Sequence, residues 1–217
     1  MSFAQALGIG RGVTAVIGSG GKSSLLDTLA SELRGRGGVI LCTTTHMFPA
    51  PGMETLTEPD EGAIAAALAR DGAACVGELA PDGRLHAPGL PISRLMRLAD
   101  YVLVEADGSK RLPLKAHAPH EPVIPPEARR TVCVVGLSGL GRRVSETVHR
   151  PELFSERDRV VTVELLASVL NREALADVYF LNQTDQRGAG AARALAGLLE
   201  RPAVWGSLRE GVVQCLS

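Results

Sequence analysis

Aromatic side chains are scarce in this chain of 217 residues, which has one Trp, two Tyr and four Phe, and its formal net charge is only −1. A nucleic-acid partner usually demands a basic face or a set of stacking platforms, so this composition argues against one. Any anionic ligand must therefore be met locally. Cysteine is sparse too: Cys42, Cys75, Cys133 and Cys215 are dispersed and form no C-x-x-C pair. Three of them lie in apolar runs, which favours buried structural thiols over a zinc site or disulfide framework. No apolar run approaches the roughly 18 residues of a membrane span, and Met1 to Val13 lacks a basic segment followed by an apolar one. The expectation is a cytoplasmic protein without a membrane partner. A chain of this length buries roughly 70% of its unfolded surface, enough for one core, so a single domain over residues 1–217 is expected.

Short apolar, β-branched runs alternate with helical periodicity. Val13 to Ile17 reads as a strand, Gly18 to Gly21 as a glycine loop, and Leu25, Leu26, Leu29, Ala30 and Leu33 as the apolar stripe of a helix. A second strand, Val39 to Cys42, opens into Thr43, Thr44, Thr45 and His46. Helices are expected over Asp60 to Ala69, Ile92 to Leu98, Thr162 to Leu170 and Arg193 to Leu199. Pro81-Asp82-Gly83 marks a hairpin within Val76 to Ala87. Further strands are expected at Tyr101 to Val104, Thr131 to Val135, Val178 to Leu181, Ala203 to Trp205 and Val212 to Leu216. Ser109 to Glu127 holds five prolines and reads as an ordered loop over one end of the sheet. Strands apolar on both faces and alternating with helices predict an α/β fold with a mostly parallel central sheet covered on both sides.

The loop carries the clearest chemistry. Gly18, Ser19, Gly20, Gly21, Lys22, Ser23 and Ser24 would place converging backbone N–H groups, a helix N-terminus, a cation and a hydroxyl at one strand-to-helix junction. That is the equipment for a nucleoside triphosphate, with Lys22 on the β- and γ-phosphates and Ser23 on Mg²⁺. The spacing is two residues tighter than G-x-x-x-x-G-K followed by Ser or Thr, because position 16 is Val16. Lys22 is expected to project from the loop and add nothing to the core. Glu105 and Asp107 follow the third strand, where a carboxylate can hold Mg²⁺ or accept a proton; a charged strand cap is the plainer alternative. Thr44 is placed to sense a terminal phosphate, or simply to satisfy a turn. Asn182 to Asp185 resembles the N-K-x-D guanine motif with Gln183 in place of lysine, so Asn182 and Asp185 are candidate base contacts unless this is only a strand-ending turn. Lys110, Arg111 and Lys115 could hold a second anionic substrate or form a solvated charge run. His117, His120 and His149 lack metal-ligand spacing and read as surface histidines.

Four blocks, Gly18 to Ser24, Thr43 to His46, Val104 to Lys110 with Leu112 to Lys115, and His120 to Pro125, together resemble the YqeC family of selenium cofactor biosynthesis proteins. The resemblance covers most of the chain. It implies a three-layer P-loop NTPase fold, Mg²⁺ with ATP or GTP as cofactors, and a catalytic group of Lys22, Glu105 and Asp107. Glu105 is also similar to the metal-binding glutamate of the dethiobiotin synthetase and nickel-chaperone GTPase group. The implied function is NTP binding and hydrolysis in the maturation of selenium-dependent molybdenum hydroxylases, with a client hydroxylase or its cofactor as partner. A nucleotide-gated chaperone with little intrinsic turnover, or a small-molecule kinase, are the alternatives. Ser23, Ser24 and Gln183 depart from the family's commoner residues and leave the choice of base open.

Overall fold

The computed structural model describes residues 1–215 and is organised around one nine-stranded sheet. In chain order its strands are β1 Gly12–Ser19, β2 Val39–Thr43, β3 Thr55–Leu56, β4 Ala73–Val76, β5 Tyr101–Glu105, β6 Ala128–Gly136, β7 Val178–Asn182, β8 Ala203–Ser207 and β9 Val212–Cys215. Their spatial order is β9-β8-β7-β6-β1-β5-β2-β4-β3, and every pairing is parallel except β8 with β9. This is the α/β architecture read from the sequence. Of the strand expected over 212–216, Val212–Cys215 is present, and Leu216 lies outside the described residues. Cys42, Cys75 and Cys133 are buried free thiols, and Cys215 is exposed. No helix among the described residues is long and apolar enough to cross a membrane.

Period-two alternation sends neighbouring residues of each strand into different layers. Val16, Leu41, Leu103, Val132 and Phe180 pack with Phe3 and with Leu25, Leu26 and Leu29 of the helix Lys22–Leu33. On the opposite face, Ile17, Val135 and Leu181 pack with the helices Val163–Glu173 and Thr184–Ala196. Beside them Ile40, Val102 and Val104 meet Ile64, Ala67 and Leu95 of the helices Glu61–Asp71 and Ile92–Leu98. Helices thus cover both faces, as strands apolar on both sides require.

The local signals explain most boundaries. Asp60 caps the helix Glu61–Asp71 through Ala63 N–H, and Gly72 ends it in the left-handed region at φ 71°. Thr162 caps Val163–Glu173 in the same way. The hairpin at Pro81-Asp82-Gly83 is present, pairing Glu78–Leu79 with Leu85–His86. Two expectations need correction. The helix expected over 193–199 begins instead at Thr184 and ends at Ala196, broken at Gly188 (φ 78°, ψ 155°). Gly188 and Gly190 interrupt the helical pattern, and so hid its first half. Strand β4 was not anticipated because Ala73 and Ala74 carry little β-propensity; tertiary burial decides there.

Phe180 has no exposed surface and meets Phe3 edge to face with ring centroids 5.6 Å apart. Phe180→Ala is expected to cost about 3–5 kcal/mol in urea unfolding. A loss below about 1 kcal/mol would show that this layer is not the core described.

Candidate functional site

The carboxyl ends of β1, β5, β6, β7 and β8 converge on one cleft, the usual ligand position in a parallel α/β sheet. It measures about 540 Å³ and is lined by Gly20, Gly21, Lys22, Ser23 and Ser24, with Glu105, Asp185 and Gln186 among its other walls. The loop at its floor is shaped by glycines. Gly20 (φ 91°) lies so close to Gly136 that an added Cβ would stand 2.4 Å from the Gly136 Cα, and Gly21 holds φ 132°. No side chain caps the helix that starts at Lys22, and its first turn contains no acidic residue. Unshared amide groups and the positive end of the helix dipole therefore belong to the loop.

Lys22 does not project from the loop as expected. It is 4% exposed, and its ammonium donates to Gly18 O (2.8 Å) while standing 3.0 Å from Asp107 Oδ1 and 3.9 Å from Glu105 Oε1. As the first residue of a helix buried against the sheet, its stem is carried inward and the charge is neutralised there. Ser23 Oγ donates to Glu105 Oε2 at 3.4 Å, so the hydroxyl and carboxylate expected to share a metal are adjacent. Burial raises the Glu105 pKa, with the charge of Lys22 opposing it.

Asp107 is the hub of a buried network. Its Oδ2 accepts from Gly18 N–H (2.9 Å), faces His117 Nε2 (2.9 Å) and lies 3.2 Å from Lys115 Nζ. Oδ1 has only the ion pair with Lys22, without an aligned hydrogen bond. Burial alone would raise the Asp107 pKa, but His117, Lys22 and Lys115 outweigh it and hold it at about 2. Lys115 in turn pairs with Glu121 (2.9 Å), and Glu121 with Arg150 (2.6 Å). The charges alternate from Glu105 through Lys22, Asp107, Lys115 and Glu121 to Arg150.

Other expected residues divide by position. Gly18 and Ser19 lie behind the cleft, with the Ser19 hydroxyl donating to Leu112 O. Lys115 has no exposed side chain, pairs with Asp107 and Glu121, and lines neither this cleft nor the chamber beside it, so it cannot meet an incoming anion; Lys110 and Arg111 are exposed. Thr44 faces a second chamber and donates to Val123 O at 2.6 Å. Asn182 uses both ends of its amide, donating to Gly20 O (2.8 Å) and accepting from Leu208 N–H (3.1 Å); it fastens the loop, and Asp185 alone of the pair is exposed. His117 is a correction: its side chain is 4% exposed and bridges Asp107 and Glu173 Oε2 (2.7 Å). Glu173, Glu121 and Arg150 were missed as well. Among the described residues, no group of three or more His, Cys, Asp or Glu is arranged to hold a metal ion.

These features define a three-layered α/β protein with a glycine-rich loop and buried lysine at the carboxyl edge of a parallel sheet. The chain belongs to the YqeC family: the family model described as "YqeC protein" matches residues 14–152. It is 36% identical over 162 residues to "Uncharacterized protein YqeC" of Escherichia coli (strain K12), an alignment that takes in 66% of this chain and 59% of that relative's length. The matched region includes the loop, Glu105 and Asp107; Asn182 and Asp185 lie beyond it.

Burial lowers the His117 pKa, yet the hydrogen bonds and charges of Asp107 and Glu173 prevail and raise it. A raised folded-state value means that its stabilisation is complete below the ordinary histidine range and is lost as pH rises through the folded value. His117→Gln is expected to cost about 2–4 kcal/mol near pH 6, with the gap from wild type narrowing as pH rises above the ordinary histidine range. Urea unfolding of both proteins across that interval checks this, and a gap independent of pH contradicts it.

Proposed function

We propose that the cleft binds a nucleoside triphosphate with Mg²⁺ through Gly18 to Ser24 and hydrolyses it, in an accessory role in the maturation of selenium-dependent molybdenum hydroxylases. The carrying observation is the loop itself: an uncapped helix N-terminus with Lys22 at its centre and Ser23 beside Glu105, opening into a cleft of nucleotide-sized volume. The maturation role rests on the family resemblance alone.

The donor set fits Mg²⁺. Ser23 and Glu105 supply two hard oxygens, and Mg²⁺ takes few protein ligands while completing its shell from phosphates and water. Bound there, the ion would neutralise charge building on the phosphates. Lys22 supplies a fixed cation, and its contacts with Gly18 O and Asp107 set the ammonium at the loop instead of leaving it to search. Asp107 serves as the positioning group in this scheme. A carboxylate held at about 2 and enclosed by donors is a weak proton acceptor, whereas Glu105 has a raised pKa and borders the cleft. Asn182 is committed to the loop, so Asp185 would be the residue to read a base.

Lys22→Gln is expected to weaken ATP and GTP binding by about 1.5–3 kcal/mol in calorimetric titration, with circular dichroism confirming the fold. Undiminished affinity for both nucleotides would remove the reading. Glu105→Gln should retain nucleotide but weaken the Mg²⁺ dependence; the same metal requirement in variant and wild type assigns that carboxylate to structure. For the base, Asp185→Asn should shift preference from GTP towards XTP, because the carboxylate would accept the guanine N2 amino proton, whereas the asparagine amide would donate to the xanthine O2. Equal affinities for GTP, ATP and XTP in both proteins would make Asn182 to Asp185 a turn.

A further inference from the structure

Next to the cleft lies a second chamber of about 1000 Å³. Ser23, Glu105, Ser109 and Arg111 border both spaces. The far wall comes from the small sheet His46–Met47, Glu78–Leu79 and Leu85–His86, where the His46 and His86 rings lie 5.3 Å apart.

The backbone singles this chamber out. Among the described residues five that are not glycine have positive φ, namely Lys110 (40°), Arg111 (60°), Arg150 (63°), Ala174 (48°) and Gln183 (71°). Three of the five are cations, and all three line the second chamber. Left-handed backbone is costly for residues with a Cβ and collects where the surrounding structure holds a functional geometry. Lys110 and Arg111 have no carboxylate partner among the described residues, so two of these charges are uncompensated. The Arg84 and Arg111 guanidinium groups approach the Phe48 ring to 5.3 and 5.4 Å, which keeps both long side chains against the chamber wall. Phe48 is 51% exposed, in a chain with few aromatic residues to spare for the surface. Burial is the main cause of a lowered His149 pKa; the charges of Lys115 and Arg150 add to it and Glu121 opposes them.

We propose that the second chamber is the binding site for a small oxyanion, a phosphate- or carboxylate-bearing molecule held next to the triphosphate by Lys110, Arg111 and the N–H groups that Arg150 does not give to Glu121. Guanidinium and ammonium groups recognise either anion by charge-assisted hydrogen bonds. The location rests on the nucleotide reading of the first cleft, because the shared wall of Ser23, Glu105 and Arg111 is what would bring the two ligands together. Of the three cations, Lys110 and Arg150 line the second chamber but not the first cleft, which allows the two sites to be separated by mutation.

The test uses the full chain, ¹⁵N-labelled, with inorganic phosphate and malonate titrated separately while a Mg²⁺-bound non-hydrolysable triphosphate saturates the cleft. At least one probe should shift the amides of Gly108 to Arg111 and Arg150, and the probe that does so identifies the anion class. Lys110→Gln should weaken that binding about tenfold and the pair Lys110→Gln with Arg150→Gln further, while triphosphate affinity changes less than about twofold. Lys110 is exposed, so the single variant keeps the test valid should the pair fail to fold. Displacement of the probe by triphosphate, equal probe affinity in wild type and variants, or no binding of either probe would each overturn the proposal. Failure of the triphosphate to bind, with probe binding retained and dependent on Lys110, would instead remove the nucleotide reading and leave the oxyanion site standing.

Discussion

Asp107 has no solvent-exposed surface, and a carboxylate there survives only because donors and cations from separate parts of the chain surround it. Gly18 N–H arrives from the loop, Lys22 from the first turn of its helix, and Lys115 and His117 from the proline-rich segment that crosses the end of the sheet. Each contact neutralises charge that would otherwise be expensive to bury, so the parts are held in one arrangement or destabilised together. The loop that defines the candidate nucleotide cleft is in this sense fixed from below by a single acid.

Steric closeness adds to the electrostatic constraint. Gly20 lies against Gly136 and Pro113, and Asn182 binds the loop carbonyl of Gly20, so the loop is gripped by β6, β7 and the crossing segment. A preorganised array of this kind gains affinity mainly because little order remains to be imposed when a ligand arrives. The two ends of the alternating charge series, Glu105 and Arg150, each border the second chamber.

Much of the fold was legible because it follows from periodicity and capping. Buried parallel strands such as Tyr101–Glu105 appear as uninterrupted apolar runs, and Asp60 and Thr162 announce their helices. The site was legible only where chemistry is contiguous in sequence. Gly18 to Ser24 could be read as a loop, and Ser23 beside Glu105 followed from strand ends meeting. Lys115, Glu121, His117 and Glu173 could not be paired in advance, since His117 and Glu173 are 56 positions apart and only the packed fold brings them to 2.7 Å. Exposure is a tertiary property as well. It turned Lys22 and Lys115 from free surface cations into buried partners of Asp107, while Lys110 and Arg111, close in sequence, remained open.

The central claim is that the loop, Lys22 and the Ser23–Glu105 pair form one triphosphate and Mg²⁺ site. A crystal structure of the full chain with Mg²⁺ and a non-hydrolysable triphosphate tests it most directly. The account predicts phosphate oxygens on the amides of Gly20 to Ser24, the Lys22 ammonium on the terminal phosphates, and the metal between Ser23 and Glu105. Electron density for the nucleotide away from the loop, or a metal held by residues other than this pair, would contradict it.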